Sequence, residues 1–286
     1  MNRRKFIAGA AAGLGAAYLG PHAVAGILDA STHKDKAEAH DTVMLGKTGI
    51  RTSRLAMGTG TIGAGGSSNQ TRAGGLTRLL RTGYDRGLIF FDTADSYGSH
   101  PEVAEAVSRL PRDKVVVMTK CDSRNPKQAK ADIDRYRREL KTDYIDILLI
   151  HCVTEGDWTE RYRGVMDVFS EAKQKGIIRA HGCSCHSIDA LRAAARSPWV
   201  EVDLVRLNPV GAHMDADPQT VIGVIKEMRA QGKGIIGMKI LGQGAMRTRQ
   251  DEAIRFALGT GVLDAFTIGA ESDGEQADLI KRIAAA

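Results

Sequence analysis

Short apolar runs alternate with helical patterns eight times along most of this chain. The runs, such as Ile145–Ile150, are almost continuously apolar, which is typical of strands buried on both faces of a parallel sheet. Each run precedes apolar residues at helical spacing, as in Ile133, Tyr136 and Leu140. Eight such units within residues 42–286 predict an α/β protein built as a (β/α)8 TIM barrel. Val43–Ile50 predicts a β-hairpin ahead of the barrel.

A doubly wound open sheet is the competing fold, because Gly58–Gly63 matches the Gly-x-Gly-x-x-Gly string of dinucleotide-binding turns. In that fold a helix begins directly at the glycines, and an acid that binds the ribose ends the second strand. No helical pattern begins directly at Gly58–Gly63, and no strand-ending acid fits that role. The repeat count therefore favours the barrel.

Polar side chains follow four successive predicted strands at the point where each strand stops. The strand ends carry Asp92, Lys120, His151 and Ser184, and Tyr97 lies in the loop just after Asp92. In a (β/α)8 barrel the carboxyl ends of the strands form the active site. We therefore expect a carboxylate, a phenol, an ammonium and an imidazole to meet at one mouth.

These groups together suit the protonation of an oxygen that gains negative charge. A phenol with an ordinary pKa of about 10 is a poor acid at neutral pH, but a neighbouring ammonium favours its ionised form. A carboxylate keeps that ammonium charged, and an imidazole can orient a carbonyl oxygen. The set predicts the reduction of a carbonyl group by hydride transfer.

The strand-end segments also resemble the signatures of the aldo-keto reductase superfamily, and the resemblance extends over residues 42–286. They are Phe91–Gly98, Met118–Lys120 and Leu148–His151. The resemblance implies an NAD(P)H-dependent oxidoreductase that reduces small aldehydes or ketones to alcohols. It assigns the catalytic tetrad to Asp92, Tyr97, Lys120 and His151, with Tyr97 as the general acid.

The same resemblance implies a set of nucleotide-binding positions, which are Gly58, Thr59, Ser184, Cys185, Asn208, Lys239, Gly269, Ser272 and Gln276. The family usually has Asn and Gln where this chain has Cys185 and Leu204. Its phosphate loop usually carries a basic residue, whereas Gly269–Asp273 is acidic here. Because a carboxylate repels a 2′-phosphate, the loop favours NAD over NADP, or weak binding of either nucleotide.

Residues 1–25 have the composition of an export signal. Two arginines and a lysine precede a short run rich in alanine and glycine, and Ala23 and Ala25 suit a cleavage site. The paired Arg3 and Arg4 resemble a twin-arginine signal. We expect recognition by the twin-arginine export machinery, cleavage after Ala25, no membrane span afterwards and a periplasmic or extracellular location. Residues 26–41, with alternating charges, are predicted to be a flexible linker.

An exported reductase has no obvious source of reduced nicotinamide, so a second hypothesis is open. In it the barrel keeps the pocket and binds a small molecule or nucleotide without turnover. Nucleic acid is not expected as a partner, because the first 25 residues supply three of the +6 net charge and only 5% of residues are aromatic.

No metal site is expected either. Cys-x-Cys spacing is poor for structural zinc. Strand alternation directs all four cysteines toward the helices rather than the mouth; they are Cys121, Cys152, Cys183 and Cys185.

Overall fold

The computed structural model describes residues 36–286, so the predicted signal peptide lies outside the described residues. Eight parallel strands close into a barrel, and each pairs with its neighbours along the chain until the last strand pairs with the first. The predicted (β/α)8 architecture is confirmed. The barrel strands are β3 (Leu55–Gly58), β4 (Phe90–Asp92), β5 (Val116–Cys121), β6 (Ile145–Val153), β7 (Ile178–Cys185), β8 (Val202–Arg206), β9 (Gly234–Met238) and β10 (Ala265–Ile268).

Helices surround the barrel and cover its outer face. They are α1 (Asn69–Ala73), α2 (Leu76–Asp85), α3 (His100–Val107), α4 (Pro126–Leu140), α5 (Trp158–Arg161), α6 (Arg163–Gln174), α7 (Ile188–Arg196), α8 (Pro218–Ala230), α9 (Gln250–Gly259) and α10 (Asp273–Ala284). Their apolar faces bury a continuous layer of side chains against the outer face of the strands. None of the helices described here is long and apolar enough to cross a bilayer.

A hairpin closes the amino-terminal end of the barrel. Its strands, β1 (Thr42–Met44) and β2 (Arg51–Ser53), pair in antiparallel fashion, which confirms the predicted hairpin. Leu45 and Ile50 beside them are fully buried and pack into the cluster of side chains that fills the barrel interior. Because this end is filled, the opposite end is left for a site.

Side-chain alternation along the strands fills the barrel interior with apolar residues and places polar residues above them. On β5, Val116 and Met118 belong to the interior cluster. Lys120, two residues further on, continues the same inward row, because side chains on one face of a strand recur every second residue. The polar layer at the carboxyl ends of the strands is therefore a direct result of strand period.

The structure differs from the sequence-based expectations at one boundary and in one additional helix. The compact unit begins at Lys36, so the end of the predicted linker is folded: Ala39 is fully buried, and its carbonyl accepts a hydrogen bond from the Leu55 N–H. The long loop after β3 contains the short helix α1, which was not expected. Ser68 caps it by accepting from Thr71 N.

Candidate active site

A buried ion pair forms the base of the site. Lys120 Nζ donates to Asp92 Oδ1 at 2.5 Å and to the Thr93 carbonyl at 2.8 Å. The Lys120 side chain is completely buried. Burial lowers the pKa of its amine, but Asp92 outweighs this effect and the pKa lies above its usual value. The second Asp92 oxygen accepts from Thr267 on β10 at 2.7 Å, so the carboxylate is held from two sides.

Tyr97 is carried by a short 3-10 turn, Asp95–Tyr97, that follows β4. Gly98 ends the turn in the left-handed region, which favours glycine. Asp95 anchors the turn to α4, because its two oxygens accept from the Arg135 guanidinium at 2.8 and 2.7 Å. Tyr136 also donates to Asp95 at 2.9 Å. The phenol is therefore positioned by a helix from the next barrel unit.

The Tyr97 ring lies close to both the buried amine and the imidazole. Lys120 Nζ is 4.8 Å from the centroid of the Tyr97 ring, and the His151 ring stands edge-on with its centroid 5.8 Å away. Burial raises the pKa of the phenol, and the Lys120 ammonium only partly opposes this rise. The sequence argument considered the ammonium and not the burial. The phenol thus keeps its proton at neutral pH, as a general acid must.

A carboxylate that the sequence analysis did not consider orients His151. Asp122 Oδ1 lies 2.7 Å from His151 Nδ1. Burial lowers the pKa of His151, but the hydrogen bonds with Asp122 and Cys152 outweigh burial, so the net pKa lies above the usual value. Asp122 stands two residues after Lys120, so its place just beyond a strand end is a signal that could have identified it. With Nδ1 engaged, Nε2 is the ring nitrogen left for a substrate.

Cys152 departs from the expected alternation. The β6–β7 register shifts between Ile150 and Val153, and Cys152 adopts a φ of +51°, in the left-handed region. Its Sγ lies 3.8 Å from His186 Nε2, and its backbone N–H donates to the Ser184 hydroxyl at 3.2 Å. The expectation that this thiol faces the helices is wrong, because the irregularity in the strand turns it toward the histidines.

Ser184 and the ends of β8 and β9 form a cationic side of the mouth. Arg206 ends β8 and donates through Nε to Asp215 at 2.9 Å. Lys239, just after β9, forms no ion pair within residues 36–286. Burial, Arg206 and Lys239 together lower the pKa of His186 to about 3. An unpaired ammonium beside a neutral histidine suits an anionic nucleotide.

Several predicted nucleotide-binding side chains already have partners. Thr59 donates to the Asp92 carbonyl at 2.9 Å, and the Asn208 amide donates to the carbonyls of Ala212 and Lys239. The Cys185 thiol lies 3.7 Å from that of Cys183, on the other face of β7 from Ser184. The roles of these positions in nucleotide binding therefore stay predictions.

The predicted phosphate loop after β10 is likewise tied into the fold. Ser272 caps α10 by accepting from Glu275 N, and Gln276 accepts from Arg86 at 2.9 Å. Glu271 accepts from Asn69 of α1 at 2.7 Å. A Cβ at Gly269 would overlap the side chains beside α1, so this close approach requires glycine. The helix α1 and the acidic loop therefore form one surface.

The arrangement brings the four predicted catalytic side chains to one mouth. It joins a protonated phenol, a buried ammonium that can stabilise the phenolate, and an oriented imidazole. A carbonyl oxygen placed between phenol and imidazole would be polarised and then protonated.

Comparison with known proteins agrees with this geometry. Residues 54–261 match the model described as the aldo/keto reductase family. The NADH-specific methylglyoxal reductase of Escherichia coli (strain K12) is 27% identical over 192 residues, which are 57% of this chain and 57% of that protein. L-galactose dehydrogenase of Arabidopsis thaliana is 24% identical over 214 residues, 71% of this chain and 66% of that protein. The matches thus span between about half and two thirds of these relatives.

Solved structures share the architecture at lower identity. An aldo-keto reductase from Bacillus halodurans in its holo form superposes with a TM-score of 0.69 at 18% identity, over 85% of this chain and 90% of that one. Glycerol dehydrogenase from Gluconobacter oxydans gives 0.67 at 19% identity, over 86% and 90% of the two chains. At these identities the likeness establishes the fold.

Proposed function

Because this chain belongs to the aldo/keto reductase family, we propose that it is an NAD(P)H-dependent oxidoreductase that reduces aldehydes or ketones to alcohols. The observation that supports this most is the Asp92–Lys120 pair, buried directly beside the Tyr97 phenol. A fold does not need a charged pair, a phenol and an oriented imidazole at one mouth, whereas carbonyl reduction uses all of them.

In the proposed reaction a bound reduced nicotinamide would supply the hydride, and side chains of this chain orient the carbonyl and protonate its oxygen. The protonated His151 ring, whose pKa is raised, donates Nδ1–H to Asp122 and Nε2–H to the carbonyl oxygen, which fixes the position of that oxygen. Tyr97 transfers its proton to that oxygen as negative charge develops there. Lys120 stabilises the phenolate that remains, and Asp92 keeps the ammonium in place. Solvent then returns a proton to the phenol.

The cofactor is proposed to lie along the cationic side of the mouth, with Lys239 facing its phosphates and Ser184 its carboxamide. The acidic loop supports a preference for NAD, because Glu271 would oppose a 2′-phosphate. Fluorescence titration with NADH and NADPH tests this. We expect tighter binding of NADH, and Glu271→Lys should narrow or reverse the difference; tighter NADPH binding by the unchanged protein would contradict the proposal.

Turnover tests the function itself. The names of the relatives direct the first substrates to small oxoaldehydes such as methylglyoxal and to sugars, so these open a panel of carbonyl compounds. We expect the reduced nucleotide to be oxidised when one class of carbonyl compound is added, and not in its absence. Micromolar nucleotide binding with no turnover on any member of a broad panel would argue against a reductase.

Binding without turnover is the second candidate function. The contacts of Ser272, Gln276 and Glu271 within the fold favour it, because side chains engaged in this way grip a nucleotide weakly. If neither NADH nor NADPH binds at micromolar concentration, while a small molecule does bind at the mouth, this candidate replaces the first.

Export is a separate proposal that rests on residues 1–25. We propose that the twin-arginine machinery carries the folded chain out of the cytoplasm, so that a tightly bound cofactor could travel with it. Arg3→Lys with Arg4→Lys keeps the charge and removes the paired guanidiniums. Cell fractionation should then show the protein retained in the cytoplasm; unchanged export of the variant would exclude this route.

A further inference from the structure

Two cysteines and an aspartate converge on the outer face of the barrel, directly behind Ser184. Cys183 and Cys185 lie two residues apart on β7, and Cys183 pairs in register with Asp203 on β8. The two Sγ atoms are 3.7 Å apart, and Cys183 Sγ is 3.8 Å from Asp203 Oδ1. One ligand atom from each residue lies within 4.8 Å of the other two.

The surroundings of this cluster do not explain why it is polar. All three side chains are fully buried, and the cysteines belong to the apolar layer between barrel and helices. Asp203 Oδ2 has no hydrogen-bond partner among residues 36–286. Burial raises the pKa of Asp203 to about 7 and that of Cys183 to about 11. A buried carboxylate oxygen without a partner destabilises a fold, and a ligand bound at this oxygen would remove that cost.

We propose that Cys183, Cys185 and Asp203 bind a zinc ion. Thiolate and carboxylate ligands together suit Zn²⁺, and two thiolates about 2.3 Å from a tetrahedral zinc lie about 3.8 Å apart. The observed sulfur separation of 3.7 Å fits this value without any movement. The sequence argument against a metal was based on the spacing and on the cysteines facing away from the mouth. It did not consider the carboxylate that the neighbouring strand supplies.

Charge balance supports the same ion. Two thiolates and a carboxylate carry three negative charges, and Zn²⁺ supplies two positive ones. The Lys233 ammonium, which interacts electrostatically with Cys183 and Asp203, supplies the third. Its Nζ donates to carbonyls at the end of α7, so it is fixed in place. On binding, the thiol protons leave to solvent, and a backbone oxygen or a water completes the tetrahedron.

The ion would join β7 to β8 behind the mouth. Ser184 lies between the two cysteines in the chain and points the opposite way, so the ion would fix the strand that presents it. This role is structural and does not depend on the proposed reductase activity. Because the cluster is closed to solvent, the metal would enter during folding.

The test is the zinc content of the full chain, refolded in the presence of Zn²⁺ and dialysed. We expect about one zinc per chain by elemental mass spectrometry. Cys183→Ser and Asp203→Asn should each lower it about tenfold or more. Cys121→Ser is the matched control, because Cys121 is an equally buried strand cysteine outside the cluster, and its zinc content should stay unchanged. Circular dichroism confirms that each variant folds.

A measurement on the unchanged protein covers the case in which the variants do not fold. Refolding with Co²⁺ in place of zinc should give a thiolate-to-cobalt charge-transfer band in the near ultraviolet. A refolded protein with neither zinc nor this band would overturn the proposal. So would a Cys183–Cys185 disulfide found by mass spectrometry in the isolated protein, or equal zinc loss in the Cys121 control.

Discussion

The phenol of Tyr97 is the group on which the proposed chemistry depends. Tyr97→Phe removes the proton donor and keeps the ring that packs beside Lys120 and His151. General acid catalysis typically contributes about 10²–10⁴-fold, so we expect kcat to fall by that factor while nucleotide affinity stays within about twofold. Steady-state kinetics and fluorescence titration measure the two quantities. A variant that still turns over at a comparable rate would show that another group supplies the proton.

The Asp92–Lys120 pair should matter for folding as well as for activity. Asp92→Asn leaves a fully buried ammonium without its carboxylate, and breaking such a pair costs about 3–5 kcal/mol. Chemical denaturation measures the change in the free energy of unfolding. The double variant Asp92→Asn with Lys120→Met removes both charges and should recover part of the loss. If the double variant loses more free energy of unfolding than the two single variants lose together, the charge argument is incorrect.

The Asp122–His151 pair predicts a dependence of stability on pH. The pKa of His151 is raised in the fold, so the folded state binds more protons than the unfolded state between the unfolded value of about 6.5 and the raised value. The stability from this pair is therefore complete below pH 6.5 and declines as the pH rises through the folded pKa. Asp122→Asn should destabilise the protein more at pH 6 than at pH 8 in chemical denaturation. An equal loss at both pH values would show that the pair carries no charge.

At the scale of elements, the loop after β3 packs against the face of Tyr97. A methyl group on Gly60 would overlap Cε2 of the Tyr97 ring, so Gly60→Ala must displace the ring or the loop. We expect kcat to fall about tenfold or more, because small misplacements of a catalytic group are costly. Gly223→Ala in α8 is the control, since a Cβ there meets nothing within 4 Å. Equal kinetics in both variants would show that the loop adapts freely.

At the scale of the whole molecule, the barrel separates stability from function between its two ends. Leu45 from the hairpin is fully buried at the closed end, far along the barrel from the polar layer. Leu45→Ala should cost about 2–5 kcal/mol of unfolding free energy by leaving a cavity. The kcat measured below the lowered melting temperature should stay unchanged. A large loss of kcat in the folded variant would mean that the two ends are coupled.

The barrel and the positions of its polar strand ends could be predicted because both follow from local pattern. Side chains of a strand alternate between its two faces, so Lys120 faces the barrel interior above Met118. The length of the strand sets where this inward-facing row of side chains ends. The Asp122–His151 contact could not be read in this way, since it depends on the path of the loop after β5. The irregularity at Cys152 was equally hidden, because it arises from the shifted pairing of two strands and not from a residue type.

The bond from Thr267 to Asp92 has a consequence for comparing related sequences. This carboxylate links the second and third barrel strands to the eighth, so selection for a sound fold alone would preserve it and its amine partner. Related proteins that have lost catalytic activity would therefore still keep Asp92 and Lys120. The Tyr97 hydroxyl links no barrel strands among the contacts described. In relatives that no longer catalyse the reaction, we therefore expect this hydroxyl to be lost before Asp92 or Lys120.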